Sequence, residues 1–145
     1  GAFLLGGEES GGLTIRGHVP EKDGVLACLL AAEIMASTKK PLRSSLNALQ
    51  KEVGTFLTAR LNFHLPTDKM SALRTRLRVA TPTRFPGFAV RRIVETDGHK
   101  FLMTDGSWLG VRLSGTEPVV RVYLEADGKD KLKALEKVGR QLAGV

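Results

Sequence analysis

The stretch from Phe88 to Ala126, FAVRRIVETDGHKFLMTDGSWLGVRLSGTEPVVRVYLEA, decides the fold of this chain. Apolar and polar residues alternate with a period near two in FAVRRIVE, HKFLMT, SWLGVRL and VVRVYLEA, which is typical of half-buried strands. Asp97-Gly98 and Asp105-Gly106 separate the first three of these segments, and Asp-Gly is a strong signal for a tight hairpin turn. The pattern therefore predicts an antiparallel meander of four strands.

Amphipathic segments flank this meander on both sides. Before it, residues 67–80 carry apolar side chains at a helical spacing, and residues 129–143 do so after it. Ala59 to Leu65 is a further strand candidate that ends at Pro66, and TPTRFPG at 81–87 is expected to be a loop. We predict an α+β domain over residues 58–145, with a four-stranded antiparallel sheet and two helices.

Residues 1–57 have a different pattern, which predicts a partial α/β unit. Ala2 to Leu5 is a short apolar run, typical of a buried strand, and the loop GGEESGG follows at 6–12. Asp23 is placed to cap a helix over Val25 to Ala36 that is apolar on nearly every side. Apolar residues from Leu42 to Phe56, spaced by three or four, predict a second helix.

The composition limits the class of protein. The 145 residues carry a formal charge of +7 and are 42% hydrophobic, which is typical of a globular chain with an anionic partner. The longest nearly apolar run is far shorter than the roughly 20 residues of a membrane-spanning helix, and the start does not resemble a signal peptide. The single cysteine, Cys28, fits a reducing compartment. We expect a cytoplasmic protein.

The loop at 6–12 is the first candidate site. It places Glu8 and Ser10 among glycines after an expected strand. An ionised Glu can accept hydrogen bonds from two neighbouring hydroxyls, and Ser adds a donor and an acceptor, so a polyol would fit. The alternative is a glycine-rich turn whose carboxylates are only solvated.

The second candidate site is the loop RLSGTEP at 112–118, which joins two expected strands. The guanidinium of Arg112 can pair two phosphate oxygens at once, and Arg121 follows on the next strand. The hydroxyls of Ser114 and Thr116 can donate to further oxygens, while Gly115 allows backbone N–H groups to approach. The alternative is a hairpin with an exposed charge.

These residues carry a resemblance. GGEESGGLTIRGHVPEKDGVLACLLAAEIMA, together with RLSGTEPVVRVYLEA, resembles the α-D-phosphohexomutase family and most of all its phosphoglucomutase branch. Members of that family have four domains and interconvert hexose 1-phosphates and hexose 6-phosphates through a bisphosphate, here expected to be glucose 1,6-bisphosphate. The resemblance implies that residues 1–57 are the end of the third domain and residues 58–145 the fourth.

The resemblance also implies roles for individual residues. Glu8 and Ser10 match the loop that contacts the sugar hydroxyls, and Lys22 matches a lysine near the phosphoryl end of the substrate. The remaining matches belong to the loop that binds the phosphate that is not transferred; they are Arg112, Ser114, Gly115, Thr116 and Arg121.

Two parts of the family pattern have no match. Nothing resembles the serine loop that carries the transferable phosphate, and no Asp-x-Asp-x-Asp cluster is present to hold Mg²⁺. Phosphoryl transfer depends on positioning and on metal charge. We therefore expect a C-terminal fragment that binds a phosphosugar but does not turn it over alone, with Mg²⁺ held elsewhere in the full-length enzyme.

Other interpretations stay open at this point. The chain could be a stand-alone phosphosugar-binding module, or a nucleic-acid-binding domain that uses the arginines between Arg74 and Arg92. Aromatic residues are scarce near those arginines, so we expect no nucleic-acid partner and no membrane partner. The helix over Val25 to Ala36 would be exposed in a fragment, which predicts self-association through the N-terminal half. The residues do not distinguish glucose, mannose, glucosamine and pentose phosphates.

Overall fold

A computed structural model describes residues 3–8 and 11–145 of the chain. The chain folds as two compact units, residues 1–53 and residues 54–145. In the part of the chain that the structure describes, no helix combines the length and the apolar character needed to cross a membrane.

The first unit contains a small hairpin and two helices. Its elements are β1 (Leu5–Gly7), β2 (Leu13–Ile15), α1 (Gly24–Thr38) and α2 (Leu42–Val53). The expected strand over Ala2 to Leu5 is wrong in its bounds, because β1 begins only at Leu5, and Ala2 lies outside the described residues. The antiparallel pairing of β1 with β2 was not predicted. Glycines occupy two of the three positions of β1, so apolar patterning gave no signal there.

The two helices follow the sequence closely. Asp23 caps α1, and its carboxylate oxygen Oδ1 accepts a hydrogen bond of 2.9 Å from the backbone N–H of Leu26. No side chain of α1 is buried, although the helix is apolar on nearly all sides. α2 ends at Val53 rather than near Phe56, because Gly54 adopts a φ of +94°, which favours glycine directly after a helix.

The second unit contains six strands and two helices. They are β3 (Leu57–His64), α3 (Thr67–Val79), β4 (Arg84–Phe85), β5 (Phe88–Val94), β6 (His99–Met103), β7 (Trp108–Leu113), β8 (Val119–Ala126) and α4 (Lys129–Ala143). The strands form one antiparallel sheet in the order β3-β8-β7-β6-β5-β4. The predicted α+β class is confirmed, and the predicted meander appears as β5 to β8.

The predicted number of four strands is wrong, because strands join both edges of the meander. β3 was expected as a strand, and it pairs with β8 along its whole length, from Leu57 opposite Ala126 to His64 opposite Val119. Alternation along one strand does not reveal its partner. β4 has only two residues within the expected loop 81–87, too few for a period to be read.

Both helices of this unit pack on one face of the sheet. The core joins strand residues such as Phe101, Leu109 and Val122 to Leu77 of α3 and Leu135 of α4, all at most 2% exposed. Gly139 of α4 lies against Val122, where a Cβ would come within 2.9 Å of its Cγ1 atom. The residues that alternate with this core set lie on the opposite face, which neither helix of the unit covers.

Candidate functional site

Glu8 and Lys22 meet in the first unit. The ammonium nitrogen of Lys22 lies 3.3 Å from the carboxylate oxygen Oε1 of Glu8, and both side chains remain partly exposed. A Cβ at Gly12 would come within 3.2 Å of the Lys22 Cβ and 3.5 Å of Glu8 Oε2, so the glycine leaves room for this approach. The structure therefore brings together two of the predicted site residues that are fourteen positions apart.

The loop that carries Glu8 is held by its own backbone. The N–H of Glu8 donates to the carbonyl of Gly12, and the N–H of Gly11 donates to the carbonyl of Glu8, both at 3.0 Å. Gly11 has a φ of +90°, a conformation that L side chains rarely adopt. The predicted site residue Ser10 and its neighbour Glu9 lie outside the described residues.

An open cleft of about 660 Å³ lies beside this pair, lined by Glu8, Gly12, Lys22 and the first turns of α1. Next to it, His18 Nε2 lies 3.0 Å from Asp23 Oδ2. The backbone N–H of Leu26, followed by His18, holds the pKa of the Asp23 carboxyl below its ordinary value. Asp23 therefore stays charged at neutral pH, and its carboxylate joins the side chain of His18 to the first turn of α1.

Arg112 and Arg121 meet in the second unit. Strands β7 and β8 place them directly opposite one another, with Asn62 of β3 next in the same row. Side chains that are opposite in an antiparallel pair lie on the same face of the sheet. The loop 114–118 connects these two strands, so both arginines lie near this loop, one on each strand.

Each of these arginines has a carboxylate partner that the sequence did not indicate. Arg112 Nε lies 3.1 Å from Asp97 Oδ2, and Arg121 Nη2 lies 3.3 Å from Glu117 Oε2. Exposed ion pairs of this kind contribute about 0–1 kcal/mol, so an incoming anion can displace the carboxylates at little cost. The turn Asp97-Gly98 was expected only as a hairpin turn, and the register of β6 with β7 is what brings it to Arg112.

Ser114 organises the backbone of the loop. Its side chain is almost fully buried, and its Oγ lies 3.4 Å from the N–H of Thr116 and 3.3 Å from that of Glu117. Since the hydroxyl oxygen accepts these contacts, its hydrogen remains to be donated. The N–H of Ser114 itself donates to the carbonyl of Val119 at 2.9 Å, which closes the loop.

Gly115 and Thr116 form the exposed tip of this loop. A Cβ on Gly115 would meet no atom within 4 Å, so the described structure leaves open space at this position. Gly115 has a φ outside the left-handed region that favours glycine. Its expected advantage is therefore access for a ligand rather than a special backbone conformation.

The arginines between Arg74 and Arg92 do not form one surface. Arg74 and Arg78 line a cleft of about 240 Å³ with Arg112, whereas Arg76 donates to the carbonyl of Leu142. The others, Arg84, Arg91 and Arg92, lie on β4 and β5 at one edge of the sheet. Among residues 3–8 and 11–145, no three His, Cys, Asp or Glu side chains come together as a metal site.

Comparisons with known proteins match both units to one family. Residues 1–53 match the phosphoglucomutase/phosphomannomutase alpha/beta/alpha domain III, and residues 63–138 match the C-terminal domain of the same family. A phosphoglucomutase/phosphomannomutase from Thermococcus kodakarensis is 32% identical over 95% of this chain and 28% of its own length. A phosphoglucosamine mutase from Bacillus cytotoxicus is 32% identical over 87% of this chain and 24% of its own length.

Solved structures agree with these matches. A Thermus thermophilus crystal structure, provisionally described as a phosphomannomutase, superposes with a TM-score of 0.69 at 29% identity, covering 98% of this chain and 27% of that one. The chain thus spans about a quarter of the length of the relatives that it matches. It belongs to the phosphoglucomutase/phosphomannomutase family of α-D-phosphohexomutases, and it corresponds to the C-terminal portion of such an enzyme.

Proposed function

We propose that this chain supplies the substrate-binding loops of a phosphohexomutase, and that its Arg112 loop binds the phosphate group that is not being transferred. The observation that carries the proposal is the placement of Arg112 directly opposite Arg121, on the two strands that the loop 114–118 connects. Two planar guanidinium groups can present paired donors to one phosphate.

The loop would exchange internal partners for the substrate. On binding, Arg112 and Arg121 would give up the carboxylates of Asp97 and Glu117 in favour of the phosphate oxygens. The free hydrogen of the Ser114 hydroxyl and the exposed hydroxyl of Thr116 would supply further donors, with Gly115 giving access. The result is orientation, because a phosphate fixed at one end of the sugar places the other end for reaction.

The first unit would contribute the contacts to the sugar. The Glu8 carboxylate can accept from ring hydroxyls, as can Ser10 in the same loop, while the Lys22 ammonium can attract the phosphoryl end. The 3.3 Å contact between Lys22 and Glu8 places the two groups beside one cleft. The substrate class is a phosphosugar, and glucose 1,6-bisphosphate is the proposed intermediate of the full-length enzyme.

The transfer chemistry itself is assigned to other domains. The resemblance to the family places Mg²⁺ in an Asp-x-Asp-x-Asp loop that this sequence lacks, so we propose that another domain of a full-length, cytoplasmic mutase holds the metal. We accordingly expect the 145-residue chain alone to be inactive in the interconversion of glucose 1-phosphate and glucose 6-phosphate. The nucleic-acid alternative is less favoured, because the arginines between Arg74 and Arg92 are divided among several surfaces.

Titration of the chain with glucose 6-phosphate, followed by amide NMR, tests the proposal. We expect the largest shifts from Arg112 to Thr116 and at Arg121. Arg112→Gln should weaken binding by about tenfold or more, since hydrogen bonds to charged groups contribute roughly 1.5–3 kcal/mol. The control Arg91→Gln removes the same charge from an exposed position of β5 and should have little effect. Equal shifts spread over residues 74–92 would contradict the proposal.

A further inference from the structure

Arg74 and Arg78 lie one turn apart on α3, on a side of the helix that borders a cleft shared with Asp97. The buried side of this helix, which packs on the sheet, consists of Met70, Leu73 and Leu77. With about 3.6 residues per turn, positions 74 and 78 fall on one flank of this buried side, and position 76 falls on the other. Accordingly, Arg76 contacts α4 through the carbonyl of Leu142, and the first flank remains for the cleft.

This cleft of about 240 Å³ lies between the flank of α3 and the β5–β6 turn. The titratable residues that line it are Arg74, Arg78, Asp97, His99 and Arg112. Glu95 is the nearest further carboxylate, with its Oε1 atom 3.6 Å from the Nε2 atom of His99. Three arginines therefore face two carboxylates at most, so positive groups outnumber negative ones in the cleft.

The charges of the cleft are unevenly paired. The Oδ2 atom of Asp97 lies 3.1 Å from the Nε atom of Arg112. In the part of the chain that the structure describes, Arg74 and Arg78 make no ion pair with a carboxylate. Asp97 thus has one arginine partner, while two further arginines border the same cleft without a carboxylate of their own.

Asp97 can exchange these partners without a change in the backbone of its turn. Gly98 packs so closely on β7 that a Cβ there would overlap the carbonyl oxygen of Val111 and lie 3.2 Å from the Cα of Arg112. The Asp97 side chain, by contrast, is 69% exposed, so its carboxylate can change rotamer in solvent. An exchange between arginines therefore requires only the rotation of side chains.

We propose that Arg74 and Arg78 take over the Asp97 carboxylate when a phosphate displaces it from Arg112. The two arginines are positioning residues, because they act on the phosphate only through Asp97. They replace the lost ion pair with a new one, so that the release of Arg112 costs less. Exposed ion pairs are weak, and the expected gain in phosphate affinity is about two- to fivefold. The inference rests on the proposed function, since it presupposes that Arg112 binds phosphate.

A double-mutant cycle with inorganic phosphate tests this exchange. We expect the combined change Arg74→Gln and Arg78→Gln to weaken phosphate binding about two- to fivefold in the wild-type background. The same change should have no effect in the Asp97→Asn background, because no carboxylate is then left to transfer. The matched control, Arg84→Gln with Arg91→Gln, removes two charges from the sheet edge and should leave the affinity unchanged. A salt concentration of about 0.15 M screens exposed charges that are more than about 8 Å apart.

The Nε–H signals of the two arginines provide a direct NMR readout. We expect added phosphate to shift the Arg74 and Arg78 signals in the wild type and not in Asp97→Asn, since the shift reports the arrival of the carboxylate. An equal loss of affinity in both backgrounds would overturn the inference, because the arginines would then attract phosphate themselves. No loss in either background would overturn it as well. If phosphate binds equally well to the wild type and to Arg112→Gln, the proposed function fails, and this inference fails with it.

Discussion

Arg112 and Arg121 lie directly opposite one another across β7 and β8, and each is neutralised by a carboxylate from a neighbouring turn. Like charges in this position destabilise a sheet, by an amount that cross-strand pairs place at about 0.2–1 kcal/mol. The carboxylates of Asp97 and Glu117 offset this repulsion in the unbound protein. The same geometry favours a doubly charged anion, which can contact both guanidinium groups at once.

The first prediction is that Arg112→Gln weakens phosphate binding but leaves the stability of the protein nearly unchanged. Removing this charge relieves the repulsion with Arg121 but also removes an exposed ion pair, so the free energy of unfolding should change by no more than about 0.5 kcal/mol. Affinity for inorganic phosphate should fall about tenfold or more. Thermal unfolding and NMR titration measure the two effects. A large loss of stability with unchanged phosphate binding would assign Arg112 a structural role instead.

The second prediction concerns Asp97→Asn. This change removes the carboxylate that competes with phosphate for Arg112, and the turn should be retained because Asn, like Asp, is favoured in turns. We expect phosphate to bind about two- to fivefold more tightly, in line with the 0.2–1 kcal/mol measured for exposed ion pairs. Glu117→Gln removes the carboxylate partner of Arg121 in the same way, and the same increase in phosphate affinity is expected. Weaker phosphate binding in both variants would show that the carboxylates position the arginines rather than compete for them.

Much of the second unit could be predicted from local patterns. The alternation from Phe88 to Ala126 indicated β5 to β8, and the apolar spacing after Lys129 gave the bounds of α4. The pairing of β3 with β8 could not be read in this way, because a strand's period does not identify a partner some sixty residues away. In the first unit the glycines of β1 concealed a strand, since a residue without a side chain adds nothing to a hydrophobic pattern.

The candidate sites, too, could be predicted only in part, because local patterns do not show which strands are neighbours. The loop RLSGTEP indicated phosphate chemistry from residue types alone, and the register then showed that Arg112 faces Arg121. Asp97 could not be linked to Arg112, because the contact depends on which strands are neighbours. The surroundings of Trp108 were equally hidden, because only the sheet order places Lys100 of β6 over its ring.

The third prediction compares two Asp-Gly turns. Gly98 and Gly106 both have a positive φ, of +96° and +87°, so an Ala at either position should cost about 1–2 kcal/mol. A Cβ at Gly106 would meet no atom within 4 Å, whereas one at Gly98 would overlap the carbonyl oxygen of Val111 and approach Arg112 Cα to 3.2 Å. We therefore expect Gly98→Ala to destabilise the protein more, and to weaken phosphate binding as well. Denaturant unfolding measures the free energy of unfolding of the two variants. Equal losses of this free energy would contradict the close packing described at Gly98.

The fourth prediction is a pH dependence from Asp105, which joins the β6–β7 turn to α4. Desolvation by burial raises the pKa of this carboxyl, but hydrogen bonds from Ser107 and the contact with Lys131 outweigh it, so the net pKa lies below its ordinary value. A lowered pKa means that the stabilisation is present above the ordinary pKa of about 4 and is lost as the pH falls through the folded value. We expect Asp105→Asn to cost about 1 kcal/mol at pH 6, because the group is partly screened by solvent.

That difference should shrink as the pH falls from about 5 towards 2.5, when the wild-type carboxyl also becomes neutral. Thermal unfolding of both proteins across this range measures it. Glu136→Gln is the control, since Glu136 lies within α4 and makes no ion pair among the described residues. A difference between wild type and Asp105→Asn that stays constant with pH would contradict the assigned hydrogen bonds.

The last prediction concerns α1, none of whose apolar side chains is buried in the described structure. Val25 and Leu29 are 72% and 63% exposed, and Ile34 and Met35 are more than 40% exposed, so the helix presents a continuous apolar surface. Surfaces of this kind usually bind a partner, and we propose that the 145-residue chain associates with itself through α1. Light scattering should show a mass that rises with concentration, and Leu29→Glu should lower it, while the charge-matched control Gln50→Glu on α2 should not. A strictly monomeric chain at high concentration would contradict this prediction, because α1 would then be stable in water with its apolar residues exposed.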